Sequence, residues 1–284
     1  MKLIENKVFG SERSLYGIDN YHLINVEFSG EEDGESALKE SKNVIIDNSR
    51  FCLRYPLWHA SNIEINNSEM TDTCRAALWY SNDVKVKDSV FKGVKIFREC
   101  SDCSIVKSEI SSTEQFWFCD TIKVDESKLS GEYAFFKSSN ININNLDFKG
   151  KYSFQYVSNV EIKDSYLDTK DAFWEAENVT VINSVIKGEY LGWYSNNLTL
   201  INCHIKGTQP LCYCKNLKII DCTFDDADLA FENSSVDATI IGSILSIKNP
   251  LAGKIVVDDA QIIIDEQNKY NGSALVILRN KEVK

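Results

Sequence analysis

Two kinds of apolar stretch follow one another along this chain at a fixed interval. In the first, apolar and polar residues alternate strictly, as in "NVEIKDSYL" (Asn159–Leu167) and "NNLTLINCHI" (Asn196–Ile205). A period of two marks a strand with one buried face. The second is a short aromatic run: "PLWH", "ALWY", "QFWF", "AFFK", "SFQY", "AFWE", "LGWY" and "PLCY". Asn, Asp, Ser, Lys and Gly lie between the two, and several of these are turn formers. No unit holds the roughly 10–12 residues of 3.6 periodicity that a helix would need.

The unit V-x-I-x-[polar]-S-x-[F/L/I] begins at Val44, Ile63, Val84, Cys103, Ile122, Ile141, Val160, Val179, Leu198 and Leu217, in steps of 19, 21 and then 19 throughout. Less regular copies are read at Tyr21, Ala238 and Ile255. A short repeat that fills a chain predicts a solenoid. Leucine-rich repeats would need L-x-x-L-x-L-x-x-N, and a left-handed β-helix would need hexapeptides; neither pattern is present. The expected fold is therefore all-β: a single-stranded right-handed parallel β-helix of about 13 coils of 19 residues. One domain is expected over residues 1–284, with caps at 1–20 and 269–284, because a solenoid must blunt its ends.

Stacked coils turn equivalent positions into columns. The first-residue column above is one core stack, and Ile46, Ile65, Val86, Ile105, Val124, Ile143, Ile162, Val181, Leu200 and Ile219 are a second. Leu57, Leu78, Phe97, Phe116, Phe135, Phe154, Phe173 and Leu211 are a third, expected to point inward. Ser49, Ser68, Ser89, Ser108, Ser127, Ser165, Ser184, Cys203 and Cys222 form a small column at a turn. Asn48, Asn67, Asn145, Asn183 and Asn202 form a polar ladder whose amides can bond from coil to coil.

"FGSERSLYG", "RYPLWH", "RAALWYS", "GKYSFQY", "TKDAFWEAENVTV", "GEYLGWYSNNLTLINC" and "GTQPLCYC" resemble an uncharacterised family of bacterial β-helix proteins, the domain of unknown function 3737 of the pectin-lyase-like superfamily. The resemblance runs over almost the full length. It implies the same right-handed β-helix and implies no activity.

Core packing leaves one row unexplained. One residue after the Leu/Phe stack run Trp58, Trp79, Arg98, Trp117, Phe136, Gln155, Trp174, Trp193, Cys212 and Phe231, which alternation turns outward. A charged row, Arg54, Arg75, Glu132, Lys151, Lys170 and Glu189, lies four residues earlier. Lys95, Glu114, Tyr133, Tyr152, Asp171, Tyr190, Gln209 and Asp228 sit beside it. Read as a groove, the face offers sugar-binding rings at Trp58, Trp79, Trp117, Trp174 and Trp193, with Lys151 as a polar contact. Its candidate catalytic groups are Arg75, Glu132, Lys170, Asp171 and Glu189. Carboxylates in neighbouring coils approach the roughly 5–9 Å that glycoside hydrolysis uses. Arg75 and Lys170 suit a lyase base or a carboxylate clamp. The expected partner is an oligo- or polysaccharide; any enzyme would be of lyase or glycoside hydrolase type. In the purely structural alternative the tryptophans are covered and the charges form a solvated ladder. A further alternative is a non-enzymatic scaffold that forms a homodimer through this face.

Charge and cysteine content narrow the partners. A net charge of −11 repels phosphate, so neither nucleic acid nor an anionic membrane is expected. The start, "MKLIENKVFGSERSLYG", shows no secretory pattern, which sets the expectation of a cytoplasmic protein with reduced thiols. Cys100 and Cys119, and Cys203 and Cys222, are each 19 apart, read as stacked free thiols. "CSDC" stands alone and "CYC" would point to opposite strand faces, so no metal is expected, and no cofactor.

Overall fold

The computed structural model describes residues 1–30 and 34–280. Among them there are strands, bends and turns but no helix. The fold is a right-handed parallel β-solenoid of about 14 turns of roughly 19 residues. Its contacts divide into two compact units, Met1–Asp147 and Phe148–Lys284.

Each rung has three sides. The first is a six-residue strand, such as Ser61–Asn66 or Asn196–Ile201. The second is a shorter strand, such as Glu69–Met70 or His204–Lys206. The third is the aromatic segment, which in most rungs forms turns. In the first unit Val44 pairs with Ile63, Ile63 with Val84, Val84 with Cys103 and Cys103 with Ile122. In the second, Val160 pairs with Val179 and Val179 with Leu198. Within each unit the pairing is parallel, in the register the repeat predicts. The last copies differ from the sequence reading. Val236 pairs with Leu217 and Gly253 with Val236, so these two continue the first column. Ala238 and Ile255 belong to the second column, because Ala238 pairs with Ile219 and Ile255 with Ala238.

All three core columns are buried. In the first unit, ring centroids of Phe97 and Phe116 are 4.4 Å apart and those of Phe116 and Phe135 are 5.0 Å apart. In the second, Phe154 and Phe173 are 5.1 Å apart. Area burial contributes about 1.5–3 kcal/mol per large apolar side chain. The second side adds the column that closes the repeat unit: Phe28, Phe51, Met70 and Phe91, all fully buried.

Most polar atoms inside the turns are satisfied by the neighbouring rung; Ser41 Oγ is buried without a partner among the described residues. The Ser49 N–H donates to Ser68 Oγ at 3.0 Å, Ser68 N–H to Ser89 Oγ at 3.0 Å, and Ser89 N–H to Ser108 Oγ at 3.1 Å. Each hydroxyl in turn donates to the carbonyl two residues earlier, as Ser108 does to Val106 at 2.8 Å. A thiol can take the same place: Cys203 N–H donates to Cys222 Sγ at 3.4 Å. Ser81, Cys100, Cys119 and Ser138 form another such column, with Cys100 N–H on Cys119 Sγ at 3.5 Å and Cys119 N–H on Ser138 Oγ at 2.9 Å. All nine cysteines are free thiols, and eight are buried. The cysteines in these columns act as serine substitutes.

Outside, amide side chains form the expected ladder. Asn67 donates to Asn48, and Asn202 to Asn183 at 2.9 Å. A second ladder stands at the head of the six-residue strand, Asn197 on Asn178 at 2.9 Å and Asn216 on Asn197 at 3.1 Å. These asparagines have positive φ, from 46° to 56°, which Asn tolerates better than most residues.

The segment 1–20, expected as a cap, carries strand residues in register with the next rung: Lys2–Glu5 pair with Tyr21–Ile24, and Val8–Phe9 with Glu27–Phe28. Within 269–284, Leu275–Leu278 pair with Lys254–Val257, and residues 281–284 lie outside the described residues.

Two expectations follow. Ser108→Ala strands the buried N–H of Ser89 and lowers stability in urea by about 1–3 kcal/mol, whereas Ser108→Cys, a substitution the chain already uses in this column, costs less than half as much. Gly207 has φ +140°, and a Cβ there would stand 2.2 Å from the Gly188 carbonyl oxygen. Gly207→Ala therefore lowers the urea midpoint by the equivalent of at least ~1–3 kcal/mol; an unchanged midpoint contradicts the close approach.

Candidate functional site

The third side of most rungs is not a β-strand; the exceptions are the short paired strands Leu78–Trp79 and Phe97–Arg98. Its residues alternate in the sign of φ: Tyr133, Phe135 and Lys137 have φ of 56°, 62° and 53°, and Tyr152, Phe154 and Tyr156 have 59°, 58° and 58°. Such left-handed positions are unfavourable for bulky residues and persist only where packing and hydrogen bonds hold them. Here Tyr55, Leu57 and His59 all donate their N–H to the next rung, at Arg75, Ala77 and Trp79, over 2.9–3.0 Å. The core Phe or Leu between them fixes the inner face.

The tryptophans complete this backbone. Trp79 Nε1–H donates to the Lys95 carbonyl at 2.7 Å, Trp117 to Tyr133 at 2.6 Å and Trp193 to Gln209 at 2.8 Å. Trp58 bonds the Ala76 carbonyl. Each indole leans across the following rung and is half-buried, so the row points out but is partly covered. Gln155 fills the same place with its amide on the Asp171 carbonyl at 3.4 Å.

In the first unit, Trp58 and Trp79 lie parallel, 2° between planes and 5.3 Å between centroids, an offset stack that leaves part of each face uncovered. His59 and Tyr80 form a second stack at 4.9 Å, standing at 88–90° to the indoles where Tyr80 meets them. Arg54 bonds Glu35 and lies 5.5 Å from the Tyr55 ring. Arg98 sits 5.1 Å from the Trp79 ring and 5.3 Å from Phe118. Arg75 is exposed, and its guanidinium has no partner among the described residues. Glu132 is half-buried, and Glu114 is tied to Lys95 at 3.0 Å.

In the second unit the rings form a tighter cluster. Trp193 meets Trp174, Tyr190 and Tyr213 edge-on, and Tyr194 stacks on Tyr213 at 4.8 Å. Lys151 lies 5.5 Å from the Tyr152 ring, and Lys170 lies 6.0 Å from that ring and 4.0 Å from Glu189. Burial holds the Asp171 carboxyl above the usual carboxylate range; Glu189 adds to this and Lys170 opposes it. The structure thus brings Lys170, Asp171, Glu189, Trp174 and Trp193 together, with Lys151 beside Tyr152.

Other members of the row behave differently. Gln155, Cys212 and Phe231 are buried. Phe231 was expected to face outward, but it is a core residue: the step from Leu211 is one residue longer, and it fills the Leu/Phe column. Burial pushes the Cys212 thiol up to about 12, leaving it protonated and inert.

Strict alternation missed four exposed rings. Tyr80, Phe118, Tyr156 and Tyr194 follow the tryptophan column and are 39–50% exposed. Alternation would turn them inward; the left-handed residues turn them out. The signal was present in "WY", "WF" and "QY", but only in a backbone that is not β. No group of three or more His, Cys, Asp or Glu side chains among the described residues could hold a metal ion.

No curated protein matches the chain. Among solved structures it is similar to a surface adhesin of Streptococcus pneumoniae, PfbA, at 10% identity over 83% of this chain and 82% of that one, with a TM-score of 0.45. It is similar to a mutant tailspike protein of E. coli bacteriophage HK620, in complex with pentasaccharide, at 9% identity over 98% and 70%, TM-score 0.36. It is similar also to a mannuronic acid specific polysaccharide family 6 lyase from human gut microbiota, at 7% identity over 94% and 83%, TM-score 0.40. These likenesses carry no argument about what this chain binds. A family model matches residues 2–278, and with it the chain belongs to the family described as protein of unknown function, DUF3737.

Proposed function

We propose that this protein binds oligo- or polysaccharide on the third side of its solenoid. One observation carries the reading in each unit: among the described residues, the third side of the first unit bears the exposed rings of Tyr16, Tyr80, Phe118 and Tyr133, and that of the second unit bears those of Tyr156 and Tyr194. Exposed rings gathered on one face mark a binding surface. Tryptophans pinned to the backbone stiffen it. Rings that are already fixed lose little entropy when a ligand docks, which is how preorganised sites gain affinity. Sugars fit such a surface chemically, laying C–H faces on rings while their hydroxyls meet flanking charges, here Arg75 in the first unit and Asp171, Glu175 and Glu189 in the second.

The charged groups also bear on processing. Asp171, with its raised affinity for a proton, has the character of a general acid, and Glu189 lies in the adjoining rung. Binding needs only the rings, so it is the reading supported best.

The test is a screen of the full chain on a glycan array, followed by titration calorimetry. Tyr80→Ala and Tyr194→Ala each weaken a bound saccharide about tenfold, the loss expected for one stacked ring at ~1–2 kcal/mol. Each also gives up a ring stack, Tyr80 on His59 and Tyr194 on Tyr213, so Tm falls by about 1–5 °C while the folded spectrum by circular dichroism is retained. A chain that binds no saccharide and buries this side in a dimer by sedimentation overturns the reading.

A further inference from the structure

Four of the five tryptophans make the same bond, from indole N–H to a neighbouring-rung carbonyl. Trp174 does not. Among the described residues its Nε1–H, shielded from water, has no partner. The spacing of 16 residues shared by Trp79, Trp117 and Trp193 would deliver it to the Tyr190 carbonyl. Instead its ring stands 63° from that of Trp193, where Trp58 and Trp79 are 2° apart. The following rung is also altered: Gly192 stands where the core column otherwise carries Leu or Phe, and Leu191 is buried beside it. A shielded donor without an acceptor is costly and calls for a specific reason.

An acceptor without a donor sits next to it. Asp171 occupies the place, three residues before the tryptophan, from which Tyr55 and Tyr190 touch Trp58 and Trp193 at 4.9 and 5.2 Å. The register therefore sets Asp171 against the Trp174 ring, consistent with the burial that favours its protonated form. Among the described residues its carboxylate receives no hydrogen bond. Lys170, the nearest cation, lies 4.0 Å from Glu189. Tyr194, half-exposed, has its ring 6.4 Å from that of Trp174.

We propose that Trp174 and Asp171 form the hydroxyl-recognising part of a sugar subsite in the second unit, the indole N–H donating to one hydroxyl of a vicinal diol and the carboxylate accepting from its neighbour. The proposal rests on the saccharide-binding reading and names the ligand class: a neutral pyranose. Asp171, Glu175 and Glu189 outnumber Lys170 around it, so an anionic sugar is repelled. Reaching the ligand takes a rotation of the indole. That rotation breaks no hydrogen bond, because Trp174 makes none; the four pinned indoles would each have to give one up. Tyr194 supplies a face for the sugar ring.

The experiment uses the full chain, calorimetric titration with mannohexaose, cellohexaose and maltohexaose at neutral pH, and thermal denaturation of each variant. Trp193→Phe deletes an internal bond and lowers Tm by about 2–4 °C, roughly 1 kcal/mol in a unit of this size. Trp174→Phe deletes no internal bond, so Tm stays at the wild-type value while affinity for the best-bound hexaose falls about tenfold. Asp171→Asn, which keeps the shape and loses the charge, weakens the same hexaose tenfold or more. If Trp174→Phe lowers Tm as Trp193→Phe does, the indole is internally satisfied and the proposal is wrong. If Trp174→Phe and Asp171→Asn both keep full affinity while Tyr194→Ala loses it, the platform stands and the diol subsite falls. If the wild-type chain binds no hexaose, yet binds an anionic glycan, the neutral class is wrong. If it binds no saccharide at all, the platform reading fails first.

Discussion

Every rung must hand its backbone and turn-forming polar groups to the rung before or after it. No helix among the described residues and no second layer exists to take them. Parallel in-register stacking meets the demand for the strands directly. At the corners it works only if each column carries a side chain that both gives and receives. Serine does so in the turn column, where one hydroxyl accepts an N–H from the preceding rung and donates to its own chain. Asparagine does so outside, where the amide of one rung meets the carbonyl oxygen of another. Thiols replace hydroxyls at Cys119 and Cys222 because sulfur reaches the same N–H at a longer distance. That accounts for buried cysteines in a chain that forms no disulfide.

The third side meets the same demand at a greater conformational cost. Its left-handed residues send N–H groups alternately to the next rung, as from Asp171 and Glu175, and to the preceding one, as from Phe173, and aromatic side chains stabilise what the backbone alone would not hold. The indoles add to this by capping carbonyls from outside. The tryptophan row is therefore structural and surface-forming at once: its N–H groups belong to the scaffold, and its uncovered ring faces belong to the solvent. Trp174 is the member released from the scaffold role. It is also the one beside an unbonded carboxylate.

Much of this was legible in the sequence. Apolar spacing at a period of two defines the six-residue strand. A constant step of 19 defines parallel register, since any other pairing would mix core and surface columns. The Asn48 column declared its coil-to-coil bonds through residue type alone, whereas the Ser49 column was legible only as small residues at a turn, its bonds emerging in the structure. The three core stacks followed from identity of position, and so did the neighbourhood of Lys170, Asp171, Glu189 and Trp174.

The tertiary structure decided what alternation could not. Period-two reasoning holds only where φ keeps one sign, and on the third side it does not. Tyr80, Phe118, Tyr156 and Tyr194 consequently face water, while Phe231 falls inside because one extra residue shifts its register. The partner of an indole N–H is likewise invisible in sequence. "DAFWE" and "YLGWY" look alike, yet Trp193 bonds the next rung and Trp174 does not. Sequence determined the repeat, because a column must be filled with one kind of residue to stack. Structure alone decided which members of a column are satisfied, because that depends on how the next rung bends beneath each side chain.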